Sequence, residues 1–260
     1  MTRTAVVTGA ARGIGAATVR RLVAAGWSVV AIDRGFDDPR LPYAMGTADQ
    51  LHAVAEAAGD QALAVVGDAT SLTLMTEAID IGERRFGGVD AVIAAAGVIA
   101  GGVPQWEMPE DEQQAVLDID LGGVLVAARA GIPALLRRPA PRQGRFLAVA
   151  SAAAARGMPM LAVYSAAKAG VVGLVRGLAA ELRGTGITAN TVSPGSTDTD
   201  ILVESARLYR LESAQSFADQ AVLERLLDPD EVAATLVWLA GPESSGMTGA
   251  NVAVDGGLTL

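Results

Sequence analysis

Tyr164 and Lys168 stand four residues apart at the head of the otherwise apolar run YSAAKAGVVGLV. On a helix that spacing puts both side chains on one face, with Cβ atoms about 5–6 Å apart, so an ammonium can lie beside a phenol. A unit charge about 4 Å away, at an effective dielectric of roughly 20, is worth roughly 4 kcal/mol, or about 3 pKa units. Such a shift brings a phenol from about 10 toward neutrality, where Tyr164 can take a proton from an alcohol or give one to a carbonyl. Ser151, thirteen residues upstream at the end of another apolar run, could hydrogen-bond the same oxygen and steady the developing charge. Each residue also has a plain structural use: a core aromatic with a satisfied hydroxyl, a snorkelling amine, a cap.

A second stretch, TGAARGIG (8–15), places glycines at 9, 13 and 15 between a β-branched run and a helical pattern. Such a loop allows a tight turn, lets the backbone approach a pyrophosphate, and aims a helix N-terminus at negative charge. Gly9, Arg12, Gly13, Ile14 and Gly15 are therefore expected against a dinucleotide. Asp33 lies 18 residues beyond Gly15 at the end of the next strand. A carboxylate there can hold both ribose hydroxyls and repels a 2′-phosphate, so NAD is expected over NADP. Arg34 and Arg12 pull the other way, because either guanidinium could grip that phosphate. Asp33 could equally be a strand-end turn residue. Further on, Pro194 and Gly195 set a turn whose Thr197 and Thr199 can reach a carboxamide, with an ordinary turn as the alternative.

These groups need a scaffold. Apolar runs at 4–8, 28–32, 62–66, 90–96, 145–151, 187–193 and 250–257 predict seven strands. Helical patterns run from Gly13 to about Gly26 and over 47–58, 71–86, 110–138, 163–183 and 229–240. The alternation predicts an α/β fold: one Rossmann-type, doubly wound parallel sheet with helices on both faces and ligands at the carboxyl ends of its strands. With no internal repeat or linker-like break, residues 1–260 read as a single domain.

Composition narrows the function. The chain has no cysteine, so disulfides and thiolate metal sites are out and a cytoplasmic setting is expected; His52, the only histidine, cannot seed an imidazole zinc site. Twenty Lys and Arg against 29 Asp and Glu leave a net charge of −9, which disfavours nucleic acid. No secretory signal and no uncharged apolar stretch of membrane-spanning length is read, so a soluble protein without a membrane partner is expected.

Taken in order, the motifs resemble the short-chain dehydrogenase/reductase family over essentially the whole chain. TGAARGIG matches its cofactor loop, GDAT (67–70) its adenine-contacting motif with Asp68 and Ala69, and YSAAK its tyrosine–lysine pair. SPGSTDT (193–199) is similar to its nicotinamide loop, and VDGG (254–257) closes the chain as in family members. The resemblance implies an NAD(P)-dependent enzyme interconverting an alcohol and its carbonyl through Ser151, Tyr164 and Lys168. It also implies a homotetramer formed through the helices at 110–138 and 163–183 and the last strand.

The chain departs from the family pattern in two places. AAAG (94–97) replaces NNAG, leaving Ala95, Ala96 and Gly97 only backbone contacts to a cofactor; Asp120 stands where the family places the asparagine of its catalytic tetrad. Asp120 is expected to support a proton relay and keep Lys168 charged. Second, RGFDDPRLPYAMG (34–46) is surplus loop, either a tolerated insertion or a cover. Together with the following TADQL it is similar to the insertion of mycofactocin-associated short-chain dehydrogenases, which hold NAD without exchanging it and pass electrons to that peptide-derived redox partner.

Residues 201–217 read as a lid, with Leu202, Leu208, Leu211 and Phe217 facing a ligand and Met158, Met160 and Leu161 flanking it. That lining suits an apolar secondary alcohol or ketone better than a charged metabolite. Two rivals stand: an NADPH-dependent carbonyl or ketoacyl reductase, which differs at the ribose pocket, and a non-catalytic NAD-binding regulatory module, which would not need the Ser–Tyr–Lys triad.

Overall fold

Short runs of Val, Ile and Ala form the strands β1 (Thr4–Thr8), β2 (Ser28–Asp33), β3 (Ala62–Val66), β4 (Ala91–Ala94), β5 (Arg145–Val149), β6 (Thr188–Pro194) and β7 (Asn251–Val254). In the computed structural model, which describes residues 2–260, they make one sheet in the order β3-β2-β1-β4-β5-β6-β7, every neighbouring pair parallel. The order reverses between β1 and β4, and such a switch point opens a crevice at the strands' carboxyl ends. The strands expected at 90–96, 145–151 and 250–257 stop short there. Ala95–Gly97, Ala150–Ser151 and Asp255–Gly257 leave the ladder and become walls of that crevice or its support.

The helices are α1 (Gly13–Ala24), α2 (Ala48–Ala57), α3 (Leu72–Phe86), α4 (Glu110–Val116), α5 (Gly123–Arg137), α6 (Ala162–Glu181), α7 (Asp200–Leu208) and α8 (Pro229–Ala240). Local chemistry sets several starts. Thr47 with Gln50 and Asp228 with Glu231 form capping boxes, and Ser71 caps α3. The single helix expected over 110–138 is instead α4 and α5 joined by a π-helical segment, Leu117–Gly122. The expected lid holds a true helix, α7, followed by a 3₁₀ segment, Ala214–Gln220.

Both faces of the sheet are covered, which is why its strands are almost continuously apolar. Val6, Val30, Val92 and Phe146 point to the face packed by α3, α5 and α6; Ala5, Val29, Ile93 and Leu147 point to the face packed by α1 and α8. The α4–α5 rod and α6 have the length and hydropathy of membrane spans. Their Val124, Ala127, Leu135, Val171 and Val175 are nevertheless core residues, so that hydropathy is used within the fold.

The surplus loop 34–46 is packed down. Leu41, Tyr43 and Met45 join Val98, Ile99, Leu161 and Tyr164 in a third apolar cluster. Asp38, 1% exposed, receives Arg34 at 2.5 Å and Arg40 at 2.8 Å, and Arg40 also reaches Asp118 of the π segment at 2.8 Å. Of the two readings open from sequence, a cover is the one the packing matches.

Candidate active site

At the sheet's switch point lies a cleft of about 580 Å³, entered by the glycine loop from one side and by the loops after β4, β5 and β6 from the other. Gly9 adopts φ +69°, and a Cβ there would lie 2.7 Å from Ala96 Cα; at Gly15 it would lie 2.0 Å from the Gly9 carbonyl oxygen. No larger residue fits either place without moving backbone. The AAAG stretch is braced by β1 itself: the Thr8 hydroxyl accepts the N–H groups of Ala95 and Ala96, each at 3.1 Å. Thr8 was not singled out from sequence, because a strand-end threonine carries no distinguishing local signal.

Asp33 accepts the Ala11 N–H at 2.9 Å and lines the cleft, as do Arg12, Gly13, Ile14, Asp68 and Ala69. Asp68 is held by the Thr70 N–H and hydroxyl at 2.8 and 2.7 Å. The two arginines that could favour a 2′-phosphate are already engaged. Arg34 faces Asp38 and, at 3.6 Å, Asp68; Arg12 faces Asp200 at 3.1 Å and donates to the Ala44 carbonyl at 3.0 Å. A carboxylate at the ribose end, a backbone cradle only glycine permits and a helix N-terminus together fit a dinucleotide with an unmodified ribose, such as NAD. Pro194, Gly195, Thr197 and Thr199 line the opposite wall, where Gly195 packs so tightly on Asp255 that a Cβ would sit 2.6 Å from its carbonyl oxygen.

Ser151, Tyr164 and Lys168 meet at the same cleft. Ser151 Oγ accepts the Ala153 N–H at 3.1 Å and is near enough to the Tyr164 phenol to draw its pKa down. Lys168 Nζ lies 5.6 Å from the Tyr164 ring centre, donates to the Val149 carbonyl at 3.4 Å, and stands 3.5 Å from Asp120 Oδ1. Gly97 makes room for that ion pair, since a Cβ there would fall 2.9 Å from Asp120 Oδ1 and 3.1 Å from Lys168 Nζ.

Asp120 stands beside Lys168, behind the cleft rather than in its lining. It is 0% exposed, does not line the cleft, and accepts the Val98 N–H at 2.9 Å while its second oxygen has no protein partner. It can act on chemistry only through Lys168, as a positioning residue carried on the π segment.

Lysine is not the only protein group acting on the Tyr164 phenol. Burial pushes the Tyr164 phenol up; Lys168 draws it down, Asp120 pushes it up again, and the net shift is upward. For Lys168, burial disfavours the ammonium, but Asp120 and then Tyr164 outweigh it, and its pKa rises. Burial likewise lifts the Asp120 carboxyl above its usual range, with Lys168 offsetting only part. The pair is a charged unit whose anion partly cancels the lysine's field at the phenol.

Tyr43 is the functional neighbour that sequence reading missed, an aromatic in a proline-broken loop whose target lies 56 residues away. Its hydroxyl accepts the Ile99 N–H at 2.8 Å, one residue from the amide held by Asp120. Burial pushes the Tyr43 phenol strongly up, so it stays protonated.

On the substrate side, Leu202, Leu211, Phe217, Met158 and Leu161 line the cleft, but Leu208 and Met160 do not. Leu208 packs with Ile201 and Tyr209 in the third apolar cluster, its backbone close to Gly102, while Ile201, Leu202, Ser205 and Tyr209 line the cleft. Met160, at φ 58°, turns outward and is 41% exposed.

Residues 9–259 match the family model described as enoyl-(acyl carrier protein) reductase. The chain is 37% identical to cis-4-hydroxycyclohexanecarboxylate dehydrogenase of Sinomonas cyclohexanicum, over 99% of this chain and 96% of that one. It is 34% identical to 3beta-hydroxysteroid dehydrogenase 1 of Eggerthella lenta, over 99% and 94%. The crystal structure of carveol dehydrogenase from Mycobacterium avium in complex with NAD superimposes with a TM-score of 0.92 at 30% identity, covering 98% of this chain and 97% of that one. On these matches the chain belongs to the short-chain dehydrogenase/reductase family and is an oxidoreductase acting on CH–OH groups.

Proposed function

We propose that this chain is an NAD-dependent dehydrogenase interconverting a secondary alcohol on a largely apolar body and its ketone, with Tyr164 as the proton carrier. The observation that carries this is the convergence of Ser151, Tyr164 and Lys168 on the cleft that the glycine loop enters, with the Lys168 ammonium 5.6 Å from the Tyr164 ring centre. The relatives named for carveol, a hydroxysteroid and a hydroxycyclohexanecarboxylate support such an alcohol.

Ser151 would donate to the alcohol oxygen and hold it at the Tyr164 phenolate; Tyr164 would take the hydroxyl proton, the freed O–H pair forming the carbonyl as the carbinol hydrogen departs with the C–H electron pair. Bound NAD+ supplies the acceptor for that hydride and a positive charge that adds to lysine's in lowering the phenol. Lys168 stabilises the phenolate, and Asp120 keeps Lys168 charged. Asp33 at the ribose end, with Arg12 and Arg34 both engaged, supports NAD over the NADPH-dependent rival.

The packed and pinned 34–46 cover supports a tightly retained cofactor, and with it mycofactocin as electron acceptor. A tetramer built on the α4–α5 rod, α6 and β7, working in the cytoplasm, completes this reading. Native mass spectrometry of the purified protein tests retention. Turnover of cyclic secondary alcohols, with added NAD and with a dye acceptor in parallel, tests the chemistry; Tyr164→Phe should cost about 10²- to 10⁴-fold. Undiminished turnover in that variant would exclude Tyr164 as the proton carrier, and cofactor-free protein cycling freely with added NAD would remove the retained-cofactor reading.

A further inference from the structure

Four cationic side chains line the cleft, and three of them face carboxylates: Arg12 faces Asp200, Arg34 faces Asp38 and Asp68, and Lys168 faces Asp120. Arg156 is the exception, having no carboxylate partner among the described residues. An anion entering the cleft would therefore meet at Arg156 a positive charge that no carboxylate already offsets.

The side chain is exposed and tethered along one edge. Arg156 Nη1 donates to the Leu258 carbonyl at 2.9 Å, while Nε and Nη2 make no hydrogen bond within the described protein. Leu258 is buried against Ala152 and Ala221 and lines the cleft. Gln220, next in the chain to Ala221, also lines the cleft.

Arg156 follows Ser151 by five residues, and even a fully extended link of that length spans no more than about 17 Å. Arg156, Ser151 and Tyr164 all line the one cleft, so a single elongated small molecule could engage the guanidinium at one end and the reacting hydroxyl groups at the other. Between them the lining is apolar, with Ala153, Met158, Leu161 and Leu258.

We infer that the substrate is a hydroxy acid or its keto acid: the carbinol sits at Ser151 and Tyr164, an apolar body spans the cleft, and a carboxylate is bound by the free edge of Arg156. This rests on the alcohol-oxidising reading above. The apolar lining by itself suits an uncharged alcohol; the uncompensated Arg156 charge changes that preference. A planar guanidinium with two open donors matches a carboxylate's two oxygens, and its charge offsets the repulsion that an acidic protein imposes on an anion.

The test uses matched pairs that differ only in charge: cis-4-hydroxycyclohexanecarboxylate against its primary carboxamide, and an open-chain hydroxy acid of similar length against its amide. Each is assayed with NAD and with a dye acceptor. Wild type should favour the acids in kcat/KM by about tenfold or more, mostly through KM. Arg156→Gln keeps a donor for Leu258 and removes the charge, so the acid-to-amide ratio should fall toward one; Arg156→Lys should restore part of it. Equal or better turnover of the amides by wild type, or an unchanged ratio in Arg156→Gln, would overturn the inference and leave the dehydrogenase reading standing. If no member of either pair turned over, and none shifted the melting temperature of the NAD-loaded protein, the substrate assignment and the alcohol reading would fall together.

Discussion

The Asp120 carboxylate stands 3.5 Å from the Lys168 ammonium, fully buried and off the cleft, so the charge that steadies the lysine also works against the phenol that the lysine serves. Asp120→Asn keeps the shape and an oxygen for the Val98 N–H while removing the anion. Tyr164 then loses a neighbour that raises it, and the rising limb of kcat/KM for alcohol oxidation should move to lower pH. Lys168 loses its main upward influence, so its ammonium should also be lost at lower pH, narrowing the profile from above. Superimposable pH–rate profiles would show that the pair does not tune the site.

Tyr43 couples the cover to the site through a single acceptor, its hydroxyl on the Ile99 N–H. Tyr43→Phe leaves that partly buried N–H without a partner, at a cost of about 1–3 kcal/mol. For a chain of this size each kcal/mol lowers the melting temperature by about 2–4 °C. Calorimetry should show the drop, accompanied by weaker NAD binding; an unchanged melting temperature would mean that water replaces the hydroxyl at no cost.

Arg12 bridges the glycine loop, the cover and α7 by touching Ala44 and Asp200. The pair is partly open to solvent, so its worth is modest, about 0.2–1 kcal/mol. Arg12→Leu should speed NAD release by up to about fivefold, as read by stopped-flow fluorescence of the reduced cofactor. Release as slow as in wild type would place the barrier elsewhere in the cover.

Asp38 should make the cover acid-sensitive. Hydrogen bonds from Arg40 hold its carboxyl well below the usual range; burial opposes them and Arg34 adds to them. A depressed carboxylate contributes stability above its unfolded pKa of about 3.9, and that contribution is lost as pH falls toward the folded value. Asp38→Asn should therefore melt well below wild type at neutral pH, with the gap narrowing as pH falls below about 4. A gap constant across that range would mean the loss is one of packing.

Much of the site was legible because its chemistry is local. The strand–glycine loop–helix unit, Asp33 at a strand end and the four-residue spacing of Tyr164 and Lys168 need only neighbouring backbone, and the sheet's carboxyl ends follow from alternating strands and helices. The surplus loop was visible as an excess of length, and its prolines excluded a helix there.

Tertiary structure decided the rest. Whether Arg34 and Arg12 are free, whether Asp120 reaches the cleft and whether Leu208 faces the ligand all depend on partners tens of residues away or on another element. The direction of the Tyr164 shift is the sharpest case, since it sums burial by several elements with opposing charges from two helical segments. Residue type and spacing along a chain set which groups can react; distance and dielectric in three dimensions set which charges remain uncompensated, and Arg156 is where that difference shows.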